Sequence, residues 1–475
     1  MNYAALIEES VRQFQQGLQE IAAEHGGKEL NPETLAELTG ALQEASLGAS
    51  RNFLRGHLES MDPKDATIRR EGTLLRRKGD SGREVLTRLG PVRIERSMYQ
   101  ADHGGPAFFP LDELCGFHGL HATREVREAC LFQLAFATPK NVEAALRKTA
   151  PFQPSAGAIR SMGLDAGTIV DLRDDELFDR VRREEAAPEG TEILAASLDG
   201  ANVLLNEKGT RKGRPAERPG VETSGASAWR NAMVGSISFH KFGEGEDEDG
   251  RPERLASRYL AQMPQPSFPK FRARFEAEVA HAKKAVGEDA IRVPICDGAR
   301  SLWKYAENNP LFRDFEKILD FYHAAEHLSK AAEAIFGKTS PESAKWYNRW
   351  RRKLLEIDNA PEALVRSMDR YAKRDMGKTR REEIAGQRTF FARNAKRMRY
   401  ADFRRRGLPV GSGVVEAACK TIVKERLCQS GMRWSRKGGQ AILNLRAAVK
   451  SDRWDRFWKI VAEAQELHHV PYRDT

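Results

Sequence analysis

The sequence is poor in cysteine and has no long apolar run. Its 475 residues include five cysteines, and no two of them stand at CxxC spacing. A scattered, odd set of cysteines argues against a disulfide framework or a cysteine-based zinc site, and it predicts a reducing, cytoplasmic compartment. No stretch approaches the ~18 apolar residues that a membrane span requires. The N-terminal segment also lacks the basic start and apolar run of a signal peptide, so the sequence excludes membrane and secreted proteins.

Charge is distributed unevenly along the chain. Lys and Arg exceed Asp and Glu by 78 to 68, yet residues 345–406 alone carry 20 basic and 8 acidic residues, and residues 407–458 carry 10 and 4. Such a basic region is typical of a surface that binds a polyanion. The alternative is a set of solvated helices with many ion pairs between successive turns. Because the runs at 349–353 and 404–406 have no matching acids nearby in sequence, we predict double-stranded DNA as a partner, with Arg404, Arg405 and Arg406 among its contacts.

The first part of the chain is predicted to be helical with one hairpin. Residues 3–24 and 33–60 have amphipathic patterns, and Asn31-Pro32 is a suitable cap for the second helix. Residues 78–82 are predicted to form a turn. Two further runs, 84–88 and 92–99, flank Leu89-Gly90-Pro91 and predict a hairpin.

Three helices are predicted next. They cover residues 124–137, a short segment that begins at Pro139, and a segment that begins at Ser155 and ends near Val170. Helix, tight break and helix at this length is compatible with a helix-turn-helix that reads DNA. Three ordinary packed helices fit the pattern equally well, so both interpretations stay open.

Beyond residue 190 the pattern changes to strands and then to helices. Strands are predicted at 192–198, 202–205, 232–239, 291–296 and 315–321; helices at 268–286 and 414–427, with 323–400 almost entirely helical. A loop rich in Gly, Pro and Arg is predicted at 209–220, and a solvent-exposed acidic tip at 244–249. The pattern predicts an α/β unit that is interrupted by a large helical block and completed by one helix.

Three acidic residues stand where this unit would bind a ligand. Asp199 and Asp297 each end a predicted strand and precede a glycine, and ligands bind at that edge of open α/β sheets. Glu416 begins the last helix, and Lys420 and Lys424 follow at i+4 and i+8 on the same face. A lone Asp-Gly is usually only a turn. The three acids together, beside the basic region, indicate two-metal phosphoryl transfer, with acids for Mg²⁺ and lysines for phosphate.

Three segments carry a resemblance to a known family. They are Ser197-Leu198-Asp199-Gly200-Ala201-Asn202-Val203, Cys296-Asp297-Gly298-Ala299 and Gly411-Ser412-Gly413-Val414-Val415-Glu416-Ala417-Ala418-Cys419-Lys420. The chain resembles bacterial insertion-sequence transposases of the ISKra group, which are DDE transposases with a ribonuclease H-like catalytic fold, related to the Mutator-like class. The similarity runs from roughly residue 85 to 460, and its last stretch, 411–446 with Gly431-Met432-Arg433-Trp434, is specific.

The resemblance implies Asp199, Asp297 and Glu416 as the metal-binding triad, with an insertion between the last two. It also implies that Asp320-Phe321-Tyr322-His323 is the DxxH motif of the broader class, near the active site. Relatives often carry a CxxC after the hairpin. This chain has Ala101 and Gly104 there, so we predict no zinc knuckle.

The predicted fold is an α/β ribonuclease H-like core interrupted by an all-helical insertion. A mainly helical N-terminal region with a β-hairpin and a candidate helix-turn-helix precedes it. The predicted regions are 1–83 (helical), 84–185 (hairpin and DNA-binding helices), 190–322 (first part of the core), 323–408 (insertion), 409–460 (core completion with the Glu416 helix) and 461–475 (tail).

The predicted function is DNA cleavage and strand transfer at transposon ends. Two Mg²⁺ (or Mn²⁺) ions held by Asp199, Asp297 and Glu416 would activate water or a 3′-hydroxyl, and His323 would shuttle a proton or contact the scissile phosphate. The predicted DNA contacts of the last helical region are Lys420, Lys424, Arg426, Arg433 and Trp434, the last either stacked on a base or packed in the core. A homodimer or higher homo-oligomer is expected. The alternatives are a DNA-binding protein without catalysis and a non-specific two-metal nuclease.

Three other patterns in the sequence suggest interpretations that explain it less well. His323-Ala324-Ala325-Glu326-His327 fits the HxxEH pattern of inverted zinc peptidases, but a peptidase does not explain the basic region. Gly411-Ser412-Gly413 begins like a dinucleotide fingerprint, yet Glu416 occupies the position of the third glycine. Cys419 and Cys428 could form a reactive pair, although small core residues are the more ordinary interpretation.

Overall fold

The computed structural model describes residues 3–117, 121–207, 228–243, 251–266 and 268–468. The predicted loop at 209–220 and the acidic tip at 244–249 lie outside these residues. The chain divides into two compact units: the first contains Met1–Val170 and Trp458–Thr475, and the second contains Asp171–Phe457. The six predicted regions are finer than this division and stay predictions. Within the described ranges no helix is long and apolar enough to cross a membrane.

The first unit combines helices with a small antiparallel sheet in the order β1-β2-β3. Its elements are α1 Tyr3–His25, α2 Pro32–Met61, β1 Thr67–Arg70, β2 Thr73–Thr87, β3 Gly90–Gln100, α3 Pro110–Leu114, α4 Arg124–Leu134, α5 Pro139–Thr149, α6 Ala156–Leu172 and α18 Trp454–His468, the last two extending past its limits.

Local sequence explains how α2 begins. The Asn31 side chain accepts hydrogen bonds from the backbone N–H groups of Glu33 and Thr34, both at 2.9 Å, and the Thr34 hydroxyl accepts from the backbone of Asn31. This capping box satisfies donors that the first helical turn leaves unpaired, and Pro32 needs no donor there. The predicted start of this helix is confirmed.

The hairpin is confirmed, but the turn predicted at 78–82 is wrong. β2 runs through those residues and pairs with β3 as far as the turn at Gly90, which has a φ of +105°. The register shifts between Arg77 and Gly79, and Gly79 has a φ of +134°. The glycine therefore accommodates a bulge in a long strand, since residues with a side chain avoid such a backbone conformation.

The three helices predicted after the hairpin are present as α4, α5 and α6. Thr138 caps α5, with its hydroxyl accepting from the backbone of Asn141 at 3.3 Å, and Pro139 follows in the first turn. α6 buries one face, which contains Ile159, Gly163, Ala166, Ile169 and Val170. These contacts fit a packed bundle and a helix-turn-helix equally, so the DNA-reading role of residues 155–170 stays a prediction.

The second unit is built around a five-stranded mixed sheet. Its elements are α7 Asp174–Arg183, β4 Ile193–Leu204, β5 Trp229–Lys241, β6 Glu253–Gln262, α8 Pro269–Val286, β7 Ile291–Cys296, α9 Arg300–Asn308, β8 Ile318–Leu319, α10 Phe321–Phe336, α11 Pro341–Glu356, α12 Ala360–Ala372, α13 Lys378–Asn394, α14 Tyr400–Arg405, α15 Gly413–Ala418, α16 Glu425–Leu427 and α17 Arg436–Lys450. The mixed α/β core and the helical block after residue 323 are confirmed.

The strand order is β6-β5-β4-β7-β8. β5 is antiparallel to β4 and β6, whereas β7 and β8 run parallel to β4. Two differences from the prediction stand out. The strands predicted at 192–198 and 202–205 form one strand, because β5 pairs with β4 along its whole length, and β6 was not predicted.

Alternating side chains of β4 explain why the sheet is covered on both faces. Leu194, Ala196 and Leu198 belong to a core formed with α8, whereas Ile193 and Ala195 belong to a second core formed with the helices of α10–α14. A strand with two buried faces is rich in apolar residues, and residues 193–198 are all buried with Ser197 as their one polar side chain. The helix predicted at 414–427 is also present, but it passes through a π-helical stretch, Cys419–Lys424, between α15 and α16.

Buried His240 on β5 leads to a testable prediction about pH. It is 5% exposed, and its Nε2 lies 2.9 Å from the hydroxyl of Ser238. Burial, with a smaller contribution from Arg254, lowers its pKa to about 4 from an ordinary 6.5. Below about pH 6.5, His240 therefore binds a proton in the unfolded chain but stays neutral in the folded chain. The free energy of unfolding consequently decreases as the pH falls.

The expected loss is about 2 kcal/mol between pH 7 and pH 5. We expect the His240→Gln variant to lose about 2 kcal/mol less stability than the wild type over that interval, because its amide does not titrate. Urea unfolding of both proteins at the two pH values measures the difference. Identical losses in both proteins would contradict a neutral, buried His240.

Candidate active site

Three acidic residues follow one register line across the parallel strands of the second unit. Leu198 on β4 pairs with Cys296 on β7, which pairs with Leu319 on β8. The next residues along the three strands are Asp199, Asp297 and Asp320. Because neighbouring strands lie about 4.8 Å apart, this register brings three carboxylates to one edge of the sheet.

The prediction that Asp199 ends its strand is wrong, because β4 continues to Leu204 along β5. It stands instead where the parallel pairing with β7 stops. Asp199 and Asp297 line the same cavity of about 450 Å³, together with Asn231, Arg272 and Tyr305. Their side chains also make local bonds: Asp199 accepts from the backbone of Gly200 at 2.6 Å, and Asp297 accepts from that of Ala299 at 2.9 Å.

Glu416 approaches the same edge from a helix. It lies on α15, which packs against β4 and β5, and its carboxylate accepts a hydrogen bond of 2.8 Å from the hydroxyl of Ser412. Cys419, 3% exposed, lies near two of the acids, Asp199 and Glu416. Burial raises the pKa of its thiol, and a hydrogen bond and the charge of Asp199, with the charge of Glu416, raise it further. The structure thus brings the three predicted acids to one region.

The donor chemistry of this region fits a hard divalent cation. Carboxylate oxygens are the ligands that Mg²⁺ and Mn²⁺ take in proteins, and Asp199 and Asp297 already share a cavity wall. As the side chains stand, however, no three His, Cys, Asp or Glu side chains of the described residues are arranged around a single metal position. The residues fit the ion by chemistry and by placement, since Asp199 and Asp297 share a cavity wall and Glu416 lies on a helix that packs against β4.

The glycine beside Asp297 is required by close packing. A Cβ added to Gly298 would overlap the ring of Phe390, which is 7% exposed and stacks on His327 with ring centroids 3.6 Å apart. The Phe390 ring is therefore the physical reason for a glycine at this position. We expect Gly298→Ala to lower the free energy of unfolding by about 1–3 kcal/mol, the usual effect of overpacking, as measured by urea unfolding.

Gly386 provides a matched control for this variant. It lies on α13, the helix that carries Phe390, and a Cβ added there meets nothing within 4 Å. Gly386→Ala should therefore leave stability unchanged or raise it by up to about 1 kcal/mol, because Ala favours a helix. Equal effects of the two substitutions would show that the Phe390 contact is unimportant.

His323 lies in the first turn of α10, and its ring is 6.3 Å from that of Phe390. Phe390 also covers Gly298, so one aromatic ring separates His323 from the Asp297 strand end. The HxxEH interpretation has no support among the described residues. His327 contacts Gln387 through Nδ1 at 2.7 Å and stacks on Phe390, and no metal-binding cluster includes the two histidines.

The predicted DNA contacts after Glu416 differ in exposure. Lys420 and Lys424 are exposed and form no ion pair with the described residues, and Arg433 is half-buried. Arg426 is 2% exposed, and burial, with the charge of Arg446, lowers its pKa to about 10. A contact between Arg426 and DNA does not fit this position, because its guanidinium lies 5.2 Å above the ring of Trp434, inside the fold.

Trp434 is half-buried and held at several points. Its ring N–H donates to the carbonyl of Leu427 at 3.0 Å, and its backbone forms a bridge with Leu205 beyond the end of β4. These bonds fit the packing alternative for this residue. Stacking of the Trp434 ring on a base stays a prediction.

The arginine run at 404–406 has acidic partners, contrary to the prediction. Arg405 donates to Asp358 at 2.8 Å, and Arg406 donates to Glu316 at 2.9 and 2.7 Å. Both arginines also lie within 4 Å of Asp402. These pairs compensate part of the charge, so the run is a weaker candidate for DNA binding than its composition suggested.

Two exposed arginines lie beside Asp297 and were not among the residues predicted from the sequence. Arg393 donates to the carbonyl of Gly298 at 3.4 Å, and Arg300 begins α9 three residues after Asp297. Burial, and then the neighbouring charges of Arg300 and Arg397, lower the pKa of Arg393. Neither Arg300 nor Arg393 forms an ion pair with the part of the chain that the structure describes. Arg300 could have been identified from the sequence, because it follows Asp297 by three residues. Arg393 is 95 residues from Gly298, so no local pattern indicated that it lies beside Asp297.

The cysteines do not form a reactive pair. All five are free thiols, and burial raises the pKa of both Cys419 and Cys428. A thiol with a raised pKa is a poor nucleophile at neutral pH. Cys428 instead lies 3.4 Å from the carbonyl oxygen of Asn202, beside β4.

Comparison with known proteins gives limited information. No family model and no curated protein matches the chain. Among solved structures, the chain is similar to one described as the Drosophila P element transposase strand transfer complex. The sequences are 9% identical, the match covers 72% of this chain and 80% of that chain, and the TM-score is 0.26.

Proposed function

We propose that this chain is an insertion-sequence DNA transposase that cleaves and joins DNA ends at Asp199, Asp297 and Glu416. The observation that carries the proposal is the convergence of these acids. Two follow paired residues on neighbouring parallel strands, and the third lies on a helix packed against one of those strands. A mixed five-stranded sheet covered by helices also agrees with the ribonuclease H-like core that the ISKra resemblance implies.

The protein groups have separate roles in the proposed reaction. Asp199, Asp297 and Glu416 supply the negative oxygens that hold Mg²⁺ or Mn²⁺, with the first two in a shared cavity wall. Two such ions, when bound, supply the charge that activates an attacking hydroxyl and stabilises the leaving oxygen.

Basic side chains around the acids bind the DNA backbone. Arg300 and Arg393 stand beside Asp297, and Lys420 and Lys424 follow Glu416 along its helix. We assign His323, whose ring lies 6.3 Å from that of Phe390, the task of moving a proton or contacting a phosphate. Contacts with the DNA backbone fix the position of the DNA strand and carry no sequence information. We therefore assign recognition of the transposon end sequences to the first unit, with α6 as the candidate helix. The proposed active form is a homodimer or a higher homo-oligomer.

Three carboxylates argue against a protein that only binds DNA. Their negative charge repels phosphate, so a pure binding protein would gain nothing from them. A general nuclease shares the proposed chemistry and differs only in lacking specificity for DNA ends.

A cleavage assay with Mg²⁺ separates these functions. The full chain is incubated with labelled duplexes that carry the sequences flanking its gene, and with random duplexes of the same length. A transposase cleaves the flanking ends selectively and joins them to target DNA. A nuclease cleaves both duplexes alike, and a binding protein cleaves neither while still retarding them in a gel. Either of the last two results would contradict the proposal.

A further inference from the structure

One buried carboxylate connects the starts of two helices near the candidate active site. Asp320 is 1% exposed. One of its oxygens accepts from the backbone N–H of His323 at 2.7 Å, which caps α10, and the other accepts from the backbone N–H of Ser412 at 2.7 Å. Ser412 is 92 residues further along the chain and immediately precedes α15.

Ser412 in turn contacts Glu416. Its hydroxyl donates to the Glu416 carboxylate at 2.8 Å, and Ser412 itself is 7% exposed. The neighbouring backbone is also fixed, because the N–H of Phe321 donates to the carbonyl of Val410 at 2.9 Å. Gly411 lies against the ring of Tyr322, where an added Cβ would be 3.0 Å from the nearest ring carbon. The segment before α15 is thus held against the first turn of α10.

Register alone would make Asp320 a fourth metal ligand, since it follows the same line of paired residues as Asp199 and Asp297. Its hydrogen bonds argue otherwise. Both oxygens already accept backbone N–H groups, and an ionised carboxylate buried this deeply depends on such donors. Moving Asp320 onto a metal would leave two buried N–H groups without an acceptor, which is unfavourable.

We infer that Asp320 is a positioning residue that acts through Ser412 to orient the Glu416 carboxylate toward the edge of β4. This inference rests on the proposed function, because it assigns a task to a residue of the proposed site. Groups that orient a metal ligand typically change metal affinity or activity by 10- to 100-fold when they are removed.

The test compares Ser412→Ala with Ser412→Thr in the full chain. The alanine variant loses the hydroxyl bond to Glu416 but keeps the backbone N–H that Asp320 accepts from, whereas threonine keeps both. We expect Ser412→Ala to need at least about tenfold more Mn²⁺ for half-maximal cleavage. Binding of Mn²⁺ to the protein alone, followed by electron paramagnetic resonance, should weaken by a similar factor, whereas the KM for DNA stays unchanged. Ser412→Thr should restore both values, and Asp320→Asn should resemble Ser412→Ala.

Ser340→Ala is the matched control. Ser340 caps α11, with its hydroxyl accepting from the backbone of Ser343 at 3.0 Å, so this variant loses a hydroxyl at a helix start away from the three acids. It should lower the unfolding midpoint without changing Mn²⁺ binding. If Ser412→Ala behaves like Ser340→Ala, or if threonine fails to rescue it, Ser412 is merely structural and the inference is overturned.

Failure of the inference can be distinguished from failure of the proposed function. Loss of cleavage in Glu416→Gln together with wild-type Mn²⁺ binding in Ser412→Ala would overturn the inference alone. Normal cleavage in Glu416→Gln would overturn the proposed function itself. Because Ser412→Ala leaves the buried Asp320 in place, the test does not depend on whether Asp320→Asn folds.

Discussion

Asp297→Asn is expected to slow metal-dependent strand cleavage by at least about a thousandfold while DNA affinity stays equal or rises. The amide oxygen of asparagine can still accept from the backbone of Ala299, so the local turn is kept. The negative charge that holds the cation is lost, and metal ions contribute several kcal/mol of charge stabilisation in such reactions, where about 1.4 kcal/mol corresponds to a factor of ten. Removing a negative charge near phosphate also reduces repulsion.

Single-turnover cleavage and filter binding measure the two effects separately. Asp314→Asn is a suitable control, because Asp314 pairs with Lys283 and with Arg292 near the start of β7, at the opposite end of the strand from Asp297. Its cleavage rate should stay within about twofold of the wild type, since surface ion pairs contribute little. We expect Asp199→Asn and Glu416→Gln to resemble Asp297→Asn. A near-normal rate in any of these three variants would contradict the triad, and with it the proposed function.

DNA affinity is expected to fall by 10³ to 10⁵ between 50 and 200 mM salt if about 6–10 phosphates are contacted. Binding of basic side chains to the backbone releases counterions, so the logarithm of affinity falls linearly with the logarithm of salt concentration. Fluorescence anisotropy with a random duplex at several salt concentrations gives the slope. A flat dependence would show that the basic residues are a solvated surface.

Two pairs of arginines make this prediction specific. The Arg300→Gln, Arg393→Gln double variant should reduce the slope by about two, one for each lost phosphate contact. The Arg405→Gln, Arg406→Gln variant removes the same charge from residues already paired with Asp358 and Glu316, so we expect a change below about one. From sequence alone, neutralising residues 404–406 would have been expected to reduce the slope by up to three. Equal changes for both pairs would contradict the distinction drawn from the ion pairs.

Local signals predicted the strand that precedes Asp297. The apolar run at 291–296 is a strand with the predicted bounds, and the acid that follows it lies at the sheet edge because β7 is parallel to β4. The start of α2 was predictable for the same reason, since its capping side chains are sequence neighbours. Features of this kind depend on contacts within a few residues.

Contacts between distant residues could not be predicted in this way. Asp358 and Glu316, which accept from Arg405 and Arg406, are 47 and 90 residues away, and Asp320 is 92 residues from Ser412. Asp402, by contrast, is close to both arginines in sequence and was a predictable partner. β6 was missed because its pattern, which is interrupted by Glu253, Arg254 and Arg258, becomes a strand only beside β5. The burial of Arg426 had a visible signal: it continues the stripe of Val415, Ile422 and Val423, which are all buried.

The order of the three acids along the chain has a consequence for biosynthesis. Asp199 and Asp297 leave the ribosome well before Glu416, and α10–α14 are made in between. At about 5–20 residues per second, the roughly 120 residues from Asp297 to Glu416 take about 6–24 s. A nascent or truncated chain can therefore form the sheet with two carboxylates but not the proposed triad. On this mechanism DNA cleavage is withheld until the last quarter of the protein has been synthesised.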